Sequence, residues 1–395
     1  MNIDDLSSKI YRRTFAEIDT IKIQNNFKKL ASLYKQNIFL CPMIKANAYG
    51  HGDGPVSKAL RQVGAEYLGV GLIEEGIRLR LFGDQGALLL FGPFDREGAK
   101  AVLEYDLTPV VSQWSQLEAL QEQAHLRNQK VVRIHLKFNT GMNRLGFDTC
   151  EAPKLRDWLN QNSGFVLDGV CTHLLRGDDA GRKGGESESQ LEQFAKLLVA
   201  FKGMNFHVHV LNSSGLATLW KRFSEGQALG NGGVWPLGAR PGLAVYGIAP
   251  SSDEEISLKL EPALSLKSHL VTLHHLQKGS RLSYNATWRA SHESLIGVVP
   301  IGYADGYSRT LSNRAHLLCR GHRVPVVGTI CMDYLMIDLT AMGLEEKPLE
   351  IGEEVVLIGS QNDQFIRAEE IANLMGTIPY EVLTGLSERV PRIYL

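Results

Sequence analysis

One lysine is placed where its amine could act as a nucleophile. Lys45 follows the apolar run Phe39–Ile44 and opens the segment Lys-Ala-Asn-Ala-Tyr-Gly-His-Gly at residues 45–52. The apolar run predicts a buried strand, and the glycines predict a loop directly after it. When burial or a neighbouring cation lowers the pKa of a lysine, its neutral amine attacks carbonyl carbons such as that of an aldehyde cofactor. Most strand-end lysines are surface groups or ion-pair partners, so the rest of the chain has to decide.

The length and charge of the chain exclude several classes of protein. A chain of 395 residues with 44% hydrophobic residues is too long for one compact unit, so we expect two domains. Its 42 lysines and arginines balance 43 aspartates and glutamates without a basic block, which argues against a nucleic-acid partner. No apolar segment is long enough to span a bilayer, so we expect a cytoplasmic protein with no membrane partner. Five cysteines without paired spacing argue against disulfides and zinc sites.

Short apolar runs alternate with amphipathic helical stretches from about residue 20 to about residue 250. Helical spacing is clearest at residues 25–36, 113–127 and 186–201. This alternation predicts a parallel sheet, and about eight units favour a closed (β/α)8 barrel over an open doubly wound sheet. The predicted strands are residues 39–45, 68–72, 87–92, 107–112, 131–139, 167–173, 206–213 and 238–247.

The pattern changes after residues 250–255. Glycine- and proline-bearing turns now separate the apolar runs, which indicates a mainly-β domain with one helix at residues 368–375. We therefore predict a barrel over residues 14–250 and a β domain over residues 251–395, with residues 1–13 grouped with the second. The predicted strands of this domain are residues 295–301, 324–330, 335–339 and 354–358.

Several polar side chains fall at the ends of the predicted barrel strands. In such barrels the carboxyl ends of the strands share one mouth, where the chemistry is done. In the second domain, the segments 301–306 and 331–333 also follow strands. The polar residues at the barrel strand ends are Lys45, Arg144, His173, Ser213 and Arg240.

These residues also have ordinary structural explanations. Ser213 fits a simple helix cap. Arg240 taken alone fits a surface ion pair, and Tyr303 fits an aromatic side chain packed at a strand end. His207 and His209 alternate onto one face of a predicted strand, but because no third ligand is evident we expect no metal. The individual residues leave the function open.

Taken in order, the motifs resemble those of bacterial alanine racemases, over nearly the whole chain. Members of that family bind pyridoxal phosphate (PLP) in an N-terminal barrel that precedes a β domain. The resemblance implies a PLP-binding (β/α)8 (TIM) barrel, a homodimer with a shared active site, and interconversion of L-alanine and D-alanine, which supplies D-alanine for peptidoglycan. The matching segments are Phe15–Asp19, Lys45–Gly52, Thr140–Phe147, Asn212–Ser213, Arg240–Leu243, Gly302–Gly306, Cys331–Asp333, Pro379–Tyr380 and Arg389–Arg392.

Two catalytic bases follow from the resemblance. Racemisation removes the α-proton from one face of the substrate and returns a proton to the other, so one base on one side is not enough. Lys45 would hold the cofactor and serve one face, and Tyr303 from the other subunit would serve the opposite face. Because the ordinary pKa of a phenol is about 10, Tyr303 needs nearby positive charge to act as a base.

The resemblance also assigns cofactor-binding residues. Arg240 would donate a hydrogen bond to the pyridine nitrogen and leave it unprotonated, which favours proton return over transamination. His209 would hydrogen-bond Arg240, and His173 would stack on the cofactor ring. The phosphate would lie against hydroxyl and backbone N–H donors at a helix start and a glycine turn. The residues of this phosphate site are Tyr49, Asn212, Ser213, Gly242, Leu243 and Tyr380.

A further set of residues is assigned to the substrate. Arg144 matches the arginine that holds the substrate carboxylate, a group that suits its planar fork of donors. Met332, with Asp333 beside it, matches a segment of the partner subunit that lines the same pocket. Lys137 matches a lysine that is carbamylated in many family members and then orients the arginine.

The chain departs from the family pattern near this substrate region. Asn139 and Asn143 replace an acidic residue and a small or variable one beside Arg144, and residues 181–185 form a glycine- and charge-rich insertion. A small apolar pocket rejects one added methylene by only about 1–3 kcal/mol. Serine and other small amino acids therefore stay open as alternative substrates.

Two other functions are compatible with a PLP-binding barrel. A non-catalytic cofactor carrier would lack a second domain, and the roughly 145 residues after the barrel argue against it. A two-domain PLP decarboxylase would have a carboxylate in place of Arg240 and a catalytic cysteine in the second domain. Cys331 is present, but Arg240 argues against this function.

Overall fold

The computed structural model describes residues 11–33, 38–179, 184–224, 229, 235–248, 259–344 and 348–395. The chain forms two compact units. The barrel unit comprises residues 21–48 and 52–261, and the C-terminal unit comprises residues 1–20, 49–51 and 262–395. The first strand, β1 (Phe15–Ile18), belongs to the C-terminal unit although it precedes the barrel in the sequence. None of the helices in the described ranges has the length and apolar character needed to cross a membrane.

Strands and helices alternate through the barrel unit. Most strands are short and nearly continuously apolar, as expected of parallel strands buried on both faces. The helices are α1 (Thr20–Ser32), α2 (Asp53–Gln62), α3 (Ile73–Phe82), α4 (Arg96–Glu104), α5 (Trp114–Leu126), α6 (Ala152–Gln161), α7 (Glu186–Leu198) and α8 (Ser213–Ser224). The strands are β2 (Tyr67–Val70), β3 (Ala87–Leu90), β4 (Thr108–Val111), β5 (Val132–Asn139), β6 (Phe147–Asp148), β7 (Phe165–Cys171), β8 (His207–Leu211) and β9 (Leu237–Ala239).

The parallel sheet closes into a barrel. Its strands pair in the order β2-β3-β4-β5-β7-β8-β9, and β6 pairs with β5. Single parallel bridges from Leu40 to Ala239 and from Met43 to Gly69 join the last strand to β2 through the segment before Lys45. The predicted (β/α)8 barrel is therefore confirmed. The predicted first strand is reduced to two bridges because Pro42, at its centre, has no N–H to donate.

The other sequence predictions for this unit hold with shifted ends. The helices predicted at residues 113–127 and 186–201 are α5 and α7, the latter continued by a 3₁₀ turn at Val199–Phe201. The predicted helix at 25–36 begins earlier, at Thr20, and residues 34–37 lie outside the described ranges. The last predicted strand was wrong beyond Ala239, because Pro241 interrupts the hydrogen-bonded ladder and Leu243–Tyr246 form a 3₁₀ turn instead.

The C-terminal unit consists mainly of antiparallel strands. One sheet has the order β16-β15-β18-β10-β1-β20 with β19 attached to β18, a second has the order β11-β14-β17, and β12 pairs with β13. Its strands after β1 are β10 (Leu264–His269), β11 (Thr272–Leu276), β12 (Arg281–Leu282), β13 (Trp288–Arg289), β14 (Ser294–Val299), β15 (His316–Cys319), β16 (His322–Pro325), β17 (Leu335–Asp338), β18 (Glu354–Gln361), β19 (Gln364–Ile366) and β20 (Arg392–Tyr394). The predicted helix is α9 (Ala368–Met375), and a second, α10 (Pro379–Thr384), escaped prediction because it is short.

The structure divides the chain differently from the prediction at its start. Strand β1 pairs antiparallel with β10 and parallel with β20, so residues 15–18 are not part of the barrel. An alternating four-residue strand shows which face is buried but not which sheet it joins, and the sequence could not decide this point. Of residues 1–13, only residues 11–13 are described, and Arg12 in that stretch pairs with Asp305 at 2.8 Å. The predicted boundary at residues 250 and 251 lies outside the described ranges.

Candidate active site

Lys45 opens a left-handed turn at the carboxyl end of the first barrel segment. The four residues after it, Ala46 to Tyr49, all have φ between 52° and 54°. This conformation is unfavourable for L-residues by roughly 1–2 kcal/mol each, and such strain collects at functional sites. Two hydrogen bonds hold the turn: the backbone N–H of Ala46 donates to Glu75 Oε1 (2.6 Å), and the N–H of Gly52 donates to the carbonyl of Asn47 (2.9 Å).

The amine of Lys45 is surrounded by other cations. Desolvation in the barrel mouth lowers its pKa, and the charges of Arg144 and Arg240 lower it further, while Glu75 acts in the opposite direction. Desolvation also lowers the pKa of Lys137, with Arg240, Arg144 and Lys45 adding to the effect. These four cations therefore lie close enough to influence one another. A lysine in this setting is more readily deprotonated, which is the condition for nucleophilic and base chemistry.

Arg240 is fixed by acceptors inside the barrel. Its side chain is only 6% exposed, although it carries a full charge. Nη1 donates to the carbonyl of His209 (2.6 Å), and Nη2 donates to the carbonyl of Thr172 (2.8 Å) and to Nδ1 of His173 (3.3 Å). The guanidinium plane cannot turn without breaking several of these bonds at once.

A chain of buried groups leads from Arg240 through the barrel interior. Arg240 Nη1 donates to Nδ1 of His209 (2.8 Å), whose Nε2 lies 2.8 Å from Nδ1 of His135. His135 Nε2 lies 3.4 Å from a carboxylate oxygen of Asp168. Because an arginine only donates, neutral histidines have one consistent proton arrangement here, with the proton on Nε2 of both rings. Burial lowers the pKa of both histidines, and the contact with His135 lowers that of Asp168.

The predicted ring-stacking residue is also neutral. Burial and then the charges of Arg240 and Arg144 lower the pKa of His173 to about 3. Its backbone carbonyl accepts a hydrogen bond from Gln190 Nε2 (3.1 Å), which also donates to Thr140 Oγ1 (3.3 Å). Gln190 is buried on α7 and ties the loop of His173 to that of Arg144. No local pattern marks Gln190, His135 or Asp168 in the sequence, since each is one polar residue inside an ordinary helix or strand pattern.

The predicted phosphate residues of the barrel unit meet at two chain turns. Asn212 caps α8, with Oδ1 accepting from the N–H of Gly215 at 2.8 Å. Ser213 Oγ accepts from the N–H of Gly242 (2.9 Å), so this glycine N–H is directed at the serine. The next residue, Leu243, begins a 3₁₀ turn, where first-turn N–H groups lack partners within the turn. The start of α8 and this turn together form a cradle that suits an anion.

Arg144 lies in a loop that leaves β5 and returns to pair with it through β6. The guanidinium is exposed, and it makes no hydrogen bond or ion pair with any residue that the structure describes. The loop itself is held by the side chain of Asn139, which bonds to Gly141 and Asn143. The charge of Arg144 lowers the pKa of Lys45 and of His173, so an anion bound by Arg144 would be close to both residues.

The remaining predicted residues lie in the C-terminal unit. Tyr303 is 42% exposed and Met332 is 52% exposed. Their loops are joined by backbone bonds from the N–H of Tyr303 to the carbonyl of Cys331 (3.0 Å) and from Ala304 to Met332 (3.1 Å). Any side chain at Gly302 would meet the carbonyls of Cys331 and Met332 at 2.3 Å, so this close approach requires glycine.

Ion pairs and ring contacts support this second group. Asp333 bonds to Arg389 at 2.6 Å, and Arg389 approaches the buried Asp305 at 3.6 Å. The rings of Tyr49 and Tyr380 lie 5.8 Å apart. The predicted residues thus form two groups, one in each unit. No group of three or more His, Cys, Asp or Glu side chains is arranged to hold a metal within the described part of the chain.

Comparison with known proteins decides the family. Residues 18–250 match the family description "Alanine racemase, N-terminal domain", and residues 263–394 match "Alanine racemase, C-terminal domain". The chain belongs to the alanine racemase family. It is 37% identical to alanine racemase 1 of Bacillus subtilis over 388 residues (98% of this chain, 94% of that protein), and 34% identical to alanine racemase of Halothermothrix orenii over 391 residues (98% of each).

Solved alanine racemase structures have the same fold. The chain is similar to alanine racemase from Bacillus anthracis with bound L-Ala-P (TM-score 0.84, 32% identity, covering 98% of this chain and 96% of that one). It is also similar to alanine racemase from Bartonella henselae with covalently bound pyridoxal phosphate (TM-score 0.81, 28% identity, covering 97% and 99%). The predicted family and racemase class are confirmed, and alanine racemases are PLP-dependent isomerases.

The barrel unit fits the cofactor of the alanine racemases. Lys45 offers an amine of lowered pKa, and the clustered cations would favour an anionic phosphate. The cradle formed by α8 and the 3₁₀ turn supplies donors for that phosphate. Arg240 supplies a fixed donor that cannot accept a proton, which suits an unprotonated ring nitrogen.

Proposed function

We propose that this chain interconverts L-alanine and D-alanine with PLP and two bases. Lys45 holds the cofactor and handles the α-proton on one face, and Tyr303 of a second copy handles the other. The observation that carries the proposal is Lys45 at the end of the first barrel segment, where desolvation and then the charges of Arg144 and Arg240 lower its pKa. Broader action on serine and non-catalytic cofactor carriage are less favoured, because the full-length relatives are alanine racemases.

The residues around the cofactor have separate tasks. Bound PLP withdraws electrons from the substrate Cα and so acidifies its proton. Arg240 would donate a hydrogen bond to the pyridine nitrogen and, because a guanidinium does not give up its proton in proteins, would leave that nitrogen unprotonated. His209 holds Arg240 from behind, and His173, neutral because of its low pKa, stacks on the ring without adding charge.

The phosphate and the substrate carboxylate are bound at different places in this scheme. Asn212, Ser213, Gly242 and Leu243 provide the helix start and turn at which the phosphate is held, and the hydroxyls of Tyr49 and Tyr380 add donors. Arg144 binds the carboxylate with its planar fork. Lys137 adds positive potential there as an ammonium, whereas carbamylated Lys137 would be an anion that orients Arg144.

A homodimer is part of the proposal. Tyr303 and Met332 are large side chains with about half their surface exposed, which suits groups completed by another copy. Asp333 would hold this segment in place through its bond with Arg389. We further propose a cytoplasmic enzyme whose D-alanine is used for peptidoglycan.

Isotope exchange tests the reaction. The purified protein with PLP is incubated with L-alanine in heavy water, and α-deuterium and optical rotation are followed together. Deuterium gain with complete loss of rotation is expected. Retained rotation with deuterium gain would mean a single working base, and absence of exchange would contradict the racemase. Running the same assay with L-serine measures substrate breadth.

Two variants assign the bases. Lys45→Ala is expected to lose cofactor attachment, seen in the absorbance spectrum, and to lose activity by at least about 10⁴-fold, because both a covalent anchor and a base are removed. Tyr303→Phe should keep the cofactor spectrum and lose mainly the direction in which the tyrosine takes the proton. Unaltered rates in both directions for Tyr303→Phe would contradict the two-base scheme.

A further inference from the structure

We propose that Asn139 and Asn143 are positioning residues for Arg144. Their joined amides hold the loop that carries Arg144 and place no negative charge beside it, so that the carboxylate of the ligand becomes the ion-pair partner of the guanidinium. This inference rests on the proposed function, in which Arg144 binds the substrate carboxylate. We call residues 139–147 the Arg144 loop.

The Arg144 loop is closed on itself. It leaves β5 at Asn139 and returns to pair with the end of the same strand, with Phe138 opposite Phe147 and Asn139 opposite Asp148. A side-chain carbon at Gly146 would lie 2.6 Å from the backbone nitrogen of Asn139, so the two ends of the loop are in direct contact. The position of Arg144 is therefore decided by what holds the short stretch between these ends.

The side chain of Asn139 is what holds that stretch. Its Oδ1 accepts from the N–H of Gly141 (3.2 Å) and from the N–H of Asn143 (2.9 Å). Its Nδ2 donates to Oδ1 of Asn143 (2.9 Å). Both the acceptor and the donor of one amide are used, and all three bonds converge on the residues just before Arg144.

Asn143 suits its backbone as well as this bond. Its φ is +54°, in the left-handed region that only glycine, asparagine and aspartate occupy readily. Glycine would fit the backbone but could not accept the bond from Asn139. Alanine could neither accept that bond nor adopt the conformation without strain. Asparagine alone meets both needs without charge.

The neutrality of the two amides matters because of Arg144. No aspartate or glutamate occurs in residues 139–147, and Arg144 has no counter-charge among the described residues. An aspartate at 139 could still accept both N–H bonds. The amide of Asn143 could turn to donate to its second oxygen, so the loop would stay closed while the added charge would compete with the ligand for Arg144. The two amides therefore hold the loop as firmly as an ion pair would, and they leave the positive charge of Arg144 available to the ligand.

Steady-state kinetics of the PLP-bound enzyme with L-alanine test this inference. Asn143→Ala is expected to raise KM about five- to tenfold with kcat within about twofold, because ligand positioning and not chemistry is disturbed. Asn143→Gly should adopt the backbone conformation without strain and so show a smaller rise in KM than Asn143→Ala. Asn139→Asp should raise KM through its added charge alone. Asn128→Ala is the matched control, since Asn128 also has positive φ (+51°) but precedes the opposite end of β5.

Hydrogen–deuterium exchange gives a readout that does not depend on activity. In both the cofactor-free and the PLP-bound protein, Asn139→Ala should make the backbone amides of the Arg144 loop exchange several-fold faster. Exchange in the peptide around residue 128 should be unchanged. Unchanged exchange would overturn the role of Asn139. Arg144→Ala separates the two proposals. If it leaves KM unchanged, the proposed role of Arg144 fails. If it raises KM while Asn143→Ala and Asn139→Asp behave like Asn128→Ala, only the amide proposal is overturned.

Discussion

Arg240 and Arg144 carry the same charged group at the same end of the barrel but in opposite surroundings. Arg240 is buried and donates to backbone carbonyls and histidines on neighbouring strands. Arg144 is exposed in a loop, and no residue in the described ranges accepts a bond from it. The orientation of Arg240 is therefore fixed by hydrogen bonds within the fold, whereas the guanidinium of Arg144 is free to bind a ligand.

The difference shows how a protein assigns roles to identical side chains. A buried guanidinium is tolerated only when its donors are bonded, and those bonds fix its orientation and proton arrangement. An exposed guanidinium stays solvated, so it costs little to fold and its binding energy is kept for a ligand. Mutations at the two sites should therefore separate stability from binding.

Removing Arg240 should have the largest effect on stability. Arg240→Ala leaves the carbonyls of Thr172 and His209 without their donor and opens a cavity, so we expect the free energy of unfolding to fall by about 3–5 kcal/mol. Urea unfolding followed by circular dichroism measures it. A loss below about 1 kcal/mol would mean that Arg240 is not the structural element described above.

Lowering the pH should destabilise the fold through the buried histidines near Arg240. His135, His173 and His209 have lowered pKa values in the fold, so between about pH 6.5 and pH 4 the unfolded chain binds protons that the native chain does not. Stability is lost as the pH falls, by up to about 1.4 kcal/mol per pH unit for each histidine. Unfolding from pH 7.5 to 5 checks this, and His173→Gln should reduce the slope by one such contribution.

Removing the charge of Asp168, beside His135, should lower the free energy of unfolding by less than the loss of Arg240 does. Asp168→Asn keeps an acceptor for His135 but removes the carboxylate that faces Arg240 through two imidazoles, so we expect a loss of about 1–2 kcal/mol. Asp157→Asn, at an exposed position of α6, is the control and should change stability by less than about 0.5 kcal/mol. Nitrogen NMR should show the proton on Nε2 of both His209 and His135 in the wild type and in Asp168→Asn, because Arg240 still donates to His209 and the amide oxygen still accepts. A proton on Nδ1 of either ring would contradict this series of hydrogen bonds.

Arg144→Ala should have the smallest effect on stability. Because the side chain has no internal partner, we expect a change within about 0.5 kcal/mol in unfolding, while KM for alanine rises about tenfold or more. A pronounced loss of stability with unchanged KM would reverse the comparison, since Arg144 would then be the structural arginine.

The amino-acid sequence alone was sufficient to predict the fold class, and it marked Lys45 as the candidate catalytic lysine. Local patterns are sufficient for this, because apolar periodicity decides strands and helices and a glycine-rich loop after a strand marks Lys45. The ordered motifs also carried the resemblance that the family comparison confirmed. The strands predicted at residues 39–45 and 238–247 are shorter in the structure, because a proline in each has no N–H for the sheet. The sequence pattern does not show which N–H groups the neighbouring strands need.

Which polar residues contact one another could be learned only from the folded arrangement of the strands and helices. His135, Asp168 and Gln190 lie far apart in sequence from the groups they contact, and nothing local distinguishes them from ordinary strand or helix residues. The assignment of β1 to the C-terminal unit likewise depends on pairing between strands about 250 residues apart. Arg144 and Arg240 look alike in the sequence, because only the assembled strands surround the Nη groups of Arg240 with acceptors and leave Arg144 without a partner among the described residues.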